Sequence, residues 1–432
     1  MKILFCCEFF HPSVGGAQEV VKQIALRLAA RGHQVGVATS FLENRQSDQY
    51  RGVAIHAFNV RGNKVKGMSG EIERYRNFIR DGAYDLIFIY AAQQWTLDAI
   101  LDDLPHLKTR TVLVPCGYSG LPDPAYRDYF AQLPDVLRSF DALVYHAHDY
   151  RDVRFAAQHG LDNSVFVPNG ADDLEFAREG DGGFRRAQGM VDDELLLLTV
   201  GSLNGAKGHL EIAEAFARAE IAGKATLVLN GNAMPPTGDA LGAGLRKLLV
   251  MLKARGAVAT MRFVAGRLLH ALGFRPDYWE RLRRVMDAVN RRPASGKRIL
   301  MIDLPRQELI GAFLEADLFV FASLIEYSPL VLFEACAAGL PFLTVPVGNS
   351  REIVEWTQGG ELCPAPVDGQ GFTRVDPQVL GAHIARLAAD PARLAELSAN
   401  GRRAWQEHYN WDTISRQYEA LFSRLLHSPK QA

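Results

Sequence analysis

Residues 316–341 read ADLFVFASLIEYSPLVLFEACAAGLP. The apolar run from Ala316 to Ser323 predicts a buried strand. Val331–Ala338 predicts an apolar helix that stops at Gly339, with Pro341 just beyond. Glu326 falls in the turn and Glu334 inside the helix, eight positions apart. A strand, a turn and a helix start make an anion-binding corner, because the first helical N–H groups lack a partner within the helix. Ser328 is the candidate N-cap and Pro329 the first helical residue, which leaves the N–H groups of Leu330 and Val331 free to donate. A carboxylate at such a corner repels phosphate and suits hydroxyls, such as those of a ribose or a hexose.

The same alternation of strand and helix extends outward from this stretch. Ahead of it lie strands at Glu194–Val200, Ala225–Asn230 and Ile299–Asp303, with helices at His209–Ala219 and Arg306–Glu315. Behind it lie a strand at Pro341–Val345 and a helix at Arg351–Trp356. The first 180 residues carry a second set. Its strands are Lys2–Cys7, Gln34–Thr39, Val53–Phe58, Asp85–Tyr90, Thr111–Val114, Asp141–Tyr145 and Ser164–Val167. Its helices are Ala17–Ala30, Gly70–Arg80, Gln94–Asp103, Tyr126–Ser139 and Asp149–His159. Near-continuous apolar strands alternating with helices predict parallel sheets covered on both faces. Polar, glycine-containing 172–193 reads as the linker. The expected organisation is two doubly wound α/β domains facing across a cleft, 1–180 and 190–405. The tail from Pro377 to His427 reads as helical and aromatic-rich, with a last helix at about 411–428.

With 432 residues, 48% of them apolar and 22% charged, the chain reads as an ordinary α/β protein rather than a disordered or membrane-spanning one. Met1–Glu8 reads as a first strand, not a signal peptide. Five cysteines without Cys-x-x-Cys spacing fit a reduced, cytoplasmic setting and no zinc site. Net charge is −1, yet Gly244–Arg298 holds fourteen Lys/Arg against three Asp/Glu. This basic insert, about 235–298, has helical patterning at Leu245–Arg255 and Tyr278–Arg292. It reads either as a solvated helical insert or as a surface for anionic lipid or an acidic acceptor. No nucleic-acid partner is expected.

Glu326–Pro341 resembles the Glu-x7-Glu element of retaining glycosyltransferase family 4, whose members have the GT-B fold and typically read EGFGLVxxEAxAxGxP. Residues 200–208, VGSLNGAKG, resemble the family's GRLxxxKG element, with Ser202 in place of the arginine. Residues 9–18, FFHPSVGGAQ, resemble its PxxGGA turn through Gly15 and Gly16, and residues 167–172, VPNGAD, its PNGVD turn. The family's His-Gly after the fifth strand is Cys116-Gly117 here. The turn at residues 9–18 lacks the GxGxxG spacing of a nicotinamide-binding fold.

What the resemblance implies is transfer of a sugar from a nucleotide diphosphate sugar donor to a glycan, lipid-linked or small-molecule acceptor with retention of configuration, as in polysaccharide biosynthesis. The last helix, at about 411–428, would cross back and pack on the first domain. Glu326 and Lys207 would be catalytic. Glu334 would hold the ribose, and Gly15, Gly16, Ser202, Leu330 and Val331 would line the donor site. No cofactor and no metal is expected, since Lys207 and the helix start would neutralise the diphosphate and no Asp-x-Asp motif occurs. A nucleotide-sugar epimerase and a non-catalytic nucleotide-sugar-binding subunit are the alternatives. The protein would work in the cytoplasm, or at the inner face of the membrane if the basic insert binds lipid.

Overall fold

The computed structural model describes residues 1–191, 193–231 and 277–429. In the N-terminal lobe the strands are Lys2–Cys6 (β1), Gln34–Ser40 (β2), Gln49–Tyr50 (β3), Val53–Phe58 (β4), Val60–Asn63 (β5), Gly67–Gly70 (β6), Leu86–Tyr90 (β7), Arg110–Val114 (β8), Ala142–Tyr145 (β9) and Ser164–Phe166 (β10). In the C-terminal lobe they are Leu195–Val200 (β11), Ala225–Asn230 (β12), Lys297–Ile302 (β13), Leu318–Phe321 (β14), Phe342–Thr344 (β15) and Gly360–Leu362 (β16). The first sheet runs β10-β9-β8-β7-β1-β2-β4-β3, parallel throughout except for β3. The second runs β13-β12-β11-β14-β15-β16, all parallel. Strands such as LIFIY at 86–90 are apolar at every position because helices cover both faces, and all five residues are buried.

The helix Trp411–His427 lies on the first sheet. Trp411, Ile414, Tyr418, Leu421 and Phe422 enter the same core as Phe88, with ring centroids of Tyr418 and Phe422 at 5.6 and 5.8 Å from it. Asn410 caps this helix through the Thr413 amide, and Arg31 binds Asp412 and Glu419 from the outside. Phe422→Ala is expected to destabilise the protein by about 3–5 kcal/mol, read as a lower urea midpoint. An unchanged midpoint would mean the helix is no part of this core.

Two sequence expectations need correction. Gly70 does not start a helix: with φ near +105° it closes the β5–β6 hairpin, where a Cβ would sit 1.9 Å from Asn59 O, and the helix begins at Ile72. The helix expected at Gln94–Asp103 is one turn, Trp95–Asp98, followed by turns and a 3-10 turn at Leu104–His106. Here Asp98 is spent inside the lobe, accepting from Lys64 N at 2.9 Å and from Tyr129 OH at 2.8 Å.

Candidate active site

In the second sheet β11 pairs with β12 on one side and with β14 on the other, although β14 lies some 120 residues further on. Strand order reverses there, and ligands of open parallel sheets bind beyond the carboxyl ends of strands at such a point. The loops leaving β11 and β14 carry Lys207 and Glu326. Gly208 makes their approach possible. It has φ near +73°, and any Cβ on it would lie 2.0 Å from Ala322 O. That closeness lets Leu324 N donate to Ala206 O at 2.8 Å and puts Ser323 Oγ 3.0 Å from the same oxygen. Lys207 Nζ consequently ion-pairs with Glu326 Oε1, which also lies 2.8 Å from Ser323 Oγ. Side-chain exposure of 26% for Lys207 and 15% for Glu326 keeps both within reach of a ligand.

The next helix spans Leu330–Ala338. Its N-cap is Pro329, with no side-chain cap, so the expected Ser328 cap is corrected by one position. Pro329 takes the extended conformation that ends the turn, and Leu330 and Val331 become the first helical residues, whose N–H groups have no acceptor within the helix. The Ser328 hydroxyl is instead buried without a hydrogen-bond partner, as is Asn169 Oδ1. Asn169 Nδ2 lies 3.4 Å from Ser328 O. Unpaired buried polar atoms of this kind are uncommon and call for a reason such as a ligand or water.

Glu334, one turn into the helix, accepts from Arg306 Nη2 at 2.6 Å, and Arg306 also binds Glu175 of the linker. Sequence reasoning missed Arg306. Its only local signal is a basic residue at a helix start just past β13. Ser202 is exposed on the loop after β11, and its carbonyl accepts from Asn204 N at 2.8 Å.

In the N-terminal lobe the order reverses between β1 and β7. Gly15 and Gly16 follow β1 and open the helix Gly16–Ala30. Gly15 is fully extended at φ 174°, so its freedom for left-handed turns is not used. A Cβ there would meet only the flexible end of Gln18, and one on Gly16 would meet nothing within 4 Å. The left-handed strain sits elsewhere, on non-glycine residues after β7 and β8: Ala91, Gln93, Cys116 and Tyr118 have φ between 49° and 75°. Such residues cost energy and gather at functional sites, and no sequence pattern marked them.

Burial pushes the Cys116 thiol up to about 12, so it is no thiolate nucleophile. Burial lowers His146 to about 4, and its Nδ1 sits 2.7 Å from Val167 O, which fixes a neutral, structural imidazole. His148 stacks on Phe166 and His11 on Tyr50, each at 3.8 Å between centroids.

Of the basic insert, the stretch Leu245–Arg255 lies outside the described residues. The helix Tyr278–Asn290 turns Leu282 and Val289 into the lobe core, and Arg281 and Arg284 pair with Glu214 and Glu280. Its apolar side is therefore spent on the lobe. Among the described residues, no group of three His, Cys, Asp or Glu could hold a metal ion, and no helix is long and apolar enough to cross a membrane. The five cysteines are free thiols.

The family model described as Glycosyltransferase Family 4 matches residues 14–173, and that described as Glycosyl transferases group 1 matches residues 280–404. A D-inositol 3-phosphate glycosyltransferase of Thermobispora bispora is 33% identical over 122 residues. The match spans 28% of this chain and only 26% of that relative's length. Among solved structures, sucrose-phosphate synthase from Thermosynechococcus elongatus superposes with a TM-score of 0.70 at 18% identity, covering 98% of both chains. The Anabaena HepE protein, solved with UDP, gives 0.67 at 16% identity, covering 98% of this chain and 100% of that one. The two glycosyltransferase family matches, one on each lobe, place this chain among the family 4 glycosyltransferases, and the full-length likeness to these solved structures shows its GT-B fold.

Proposed function

We propose that the protein transfers a hexosyl group from a nucleotide diphosphate sugar to a glycan, lipid-linked or small-molecule hydroxyl, with retention at the anomeric carbon. The observation that carries this reading is the meeting of Lys207 and Glu326 at the strand-order reversal, next to a helix start with uncapped N–H groups. The lysine ammonium has three donors, so it can keep Glu326 and still bind a diphosphate oxygen. Leu330 and Val331 amides bind the same diphosphate, and Glu334 offers its second oxygen to the ribose hydroxyls while Arg306 holds the first. Gly15, Gly16 and Ser202 line the donor from the two loops. Glu326 accepts from a sugar hydroxyl and sets the orientation of the anomeric carbon.

In the reaction the bond from anomeric carbon to phosphate oxygen breaks and a bond to the acceptor oxygen forms on the same face. The acceptor proton passes to the departing phosphate. Negative charge grows on that diphosphate, and a preorganised cation and N–H donors stabilise it, usually the largest catalytic contribution. A dedicated protein base is then unnecessary, which accords with Cys116 standing where relatives carry histidine. Lys207 and the helix start supply the charge that a metal supplies elsewhere, so chelator is expected to leave turnover unchanged. An acceptor presented on a lipid would bring the arginine-bearing outer side of the Tyr278–Asn290 helix toward an anionic surface.

The test is a thermal-shift panel of UDP, GDP and ADP with their sugars, followed by turnover with and without acceptors. A ligand at about 100 times its Kd stabilises the native state by about 2.7 kcal/mol, so one base should stand apart. No shift with any nucleotide would overturn the proposal. Rapid epimerisation without an acceptor would replace transfer by sugar isomerisation, and binding with no turnover of any kind would leave a binding subunit.

A further inference from the structure

The loop carrying Glu326 is held by both lobes through two tyrosines that cross. From the N-terminal lobe, Tyr150 OH donates to the Glu326 carbonyl at 2.6 Å. From the C-terminal lobe, Tyr327 reaches the other way. Its hydroxyl accepts from His146 N at 3.0 Å and faces the carboxylate of Asp152. The two rings sit 5.2 Å apart at 46°. Asp152 is fully buried and also accepts from Gly117 N at 2.9 Å and Val153 N at 3.0 Å.

The surroundings are shaped for this crossing. Gly117 has φ near +81°, and a Cβ there would fall 2.8 Å from the Tyr150 ring and 3.0 Å from that of Tyr327. On the other side Gly348, with φ near +57°, would place a Cβ 2.3 Å from Tyr327 O, and Asn349 N donates to that oxygen at 2.9 Å. Tyr327 is thus fixed at its backbone by its own lobe and at its hydroxyl by the opposite one. Asn349 Nδ2 and Glu352 add bonds to His146 O and to the His148 and Asp149 amides along the same seam.

We propose that Tyr327 is a positioning residue, a strut whose hydroxyl, held by Asp152 and the His146 amide, fixes the direction in which Glu326 meets the transferred sugar. The inference rests on the reading of Glu326 given above. A hydroxyl is needed at this place because it accepts from one buried group and donates to another. Phenylalanine would leave the His146 N–H unpaired in a buried site and would take one donor from the buried Asp152 carboxylate, which keeps its bonds from the Gly117 and Val153 amides. With Glu326 bonded at its carbonyl by Tyr150 and followed in sequence by Tyr327, its carboxylate is aimed by the two lobes together, while Lys207 and Glu334 are held by one lobe alone.

The experiment compares wild type, Tyr327→Phe, Asp152→Asn and the double variant with the nucleotide sugar selected by the thermal-shift panel. Each single variant should lower kcat by roughly tenfold to a hundredfold, as for loss of a hydrogen bond to a charged group. The donor KM should move little, since Lys207 and Glu334 are untouched. The double variant should be no slower than the worse single, because both remove one contact. Wild-type kcat in Tyr327→Phe, kcat losses that multiply, or a donor KM that rises as far as kcat falls would each overturn the inference. Should Tyr327→Phe not fold, Asp152→Asn is held to the same split between kcat and KM. A wild type without turnover would instead remove the functional reading, and this inference with it.

Discussion

A Lys207→Ala variant is expected to lose roughly 10²–10³-fold in kcat while remaining folded. The lysine is partly exposed on a loop, and its removal leaves Glu326 still in contact with Ser323 Oγ. The size of the loss follows from where the charge develops. In the proposed reaction the leaving diphosphate gains negative charge as its bond to the anomeric carbon breaks, and among the residues proposed for the donor site Lys207 is the cation. The family's arginine is Ser202 in this chain, so no second charged donor from that loop shares the load. Lys207→Arg should recover only part of the rate, because a planar fork replaces a compact ammonium that must satisfy both a carboxylate and a phosphate. Steady-state kinetics with the panel-selected donor decide the matter. A Lys207→Ala enzyme within a few-fold of wild type would show that the diphosphate is neutralised elsewhere.

Glu334→Ala is expected to raise the donor KM by roughly tenfold to a hundredfold, as for the loss of hydrogen bonds to a charged acceptor. kcat should fall far less. On the proposed assignment the ribose contacts would be the same in the bound donor and in the transition state, and an interaction of equal strength in both affects KM rather than kcat. Arg306 complicates a naive reading, since the substitution also takes away one of its partners. Glu175 remains bonded to it, so the guanidinium is not left unpaired. Glu334→Gln separates the effects, keeping an oxygen for the ribose but weakening the ion pair. A fall in kcat with unchanged donor KM would sink the assignment of Glu334 to the ribose.

Much of the fold was legible because its signals are local. Apolar runs such as LIFIY and LLLLTV mark strands buried on both faces wherever they occur in the chain. Val53–Phe58, Ala225–Asn230 and Arg306–Glu315 have the bounds the periodicity predicts. The β5–β6 hairpin was not legible, because Gly70 reads as a helix start until its neighbours show that no Cβ fits there or at Gly62. The N-cap shifted from Ser328 to Pro329 for a related reason. Ser328 is the better cap by type, but its carbonyl and hydroxyl lie against Asn169 and the buried seam between the lobes.

By itself the sequence picked out the candidate site residues: two acids eight apart, a Lys-Gly after a strand, and a helix start between the acids. Residue type and short spacing are properties of a continuous stretch of chain. Only the tertiary structure decided which of them meet. Strand order sets β11 beside β14 and so joins Lys207 to Glu326. The linker's return brings Glu175 to Arg306 and Glu334. Two lobes in contact let the Tyr150 hydroxyl donate to the Glu326 carbonyl and the Tyr327 hydroxyl accept from the His146 amide. Those contacts join residues separated by up to some 180 positions, and their energy comes from burying paired polar groups between elements that no local pattern aligns.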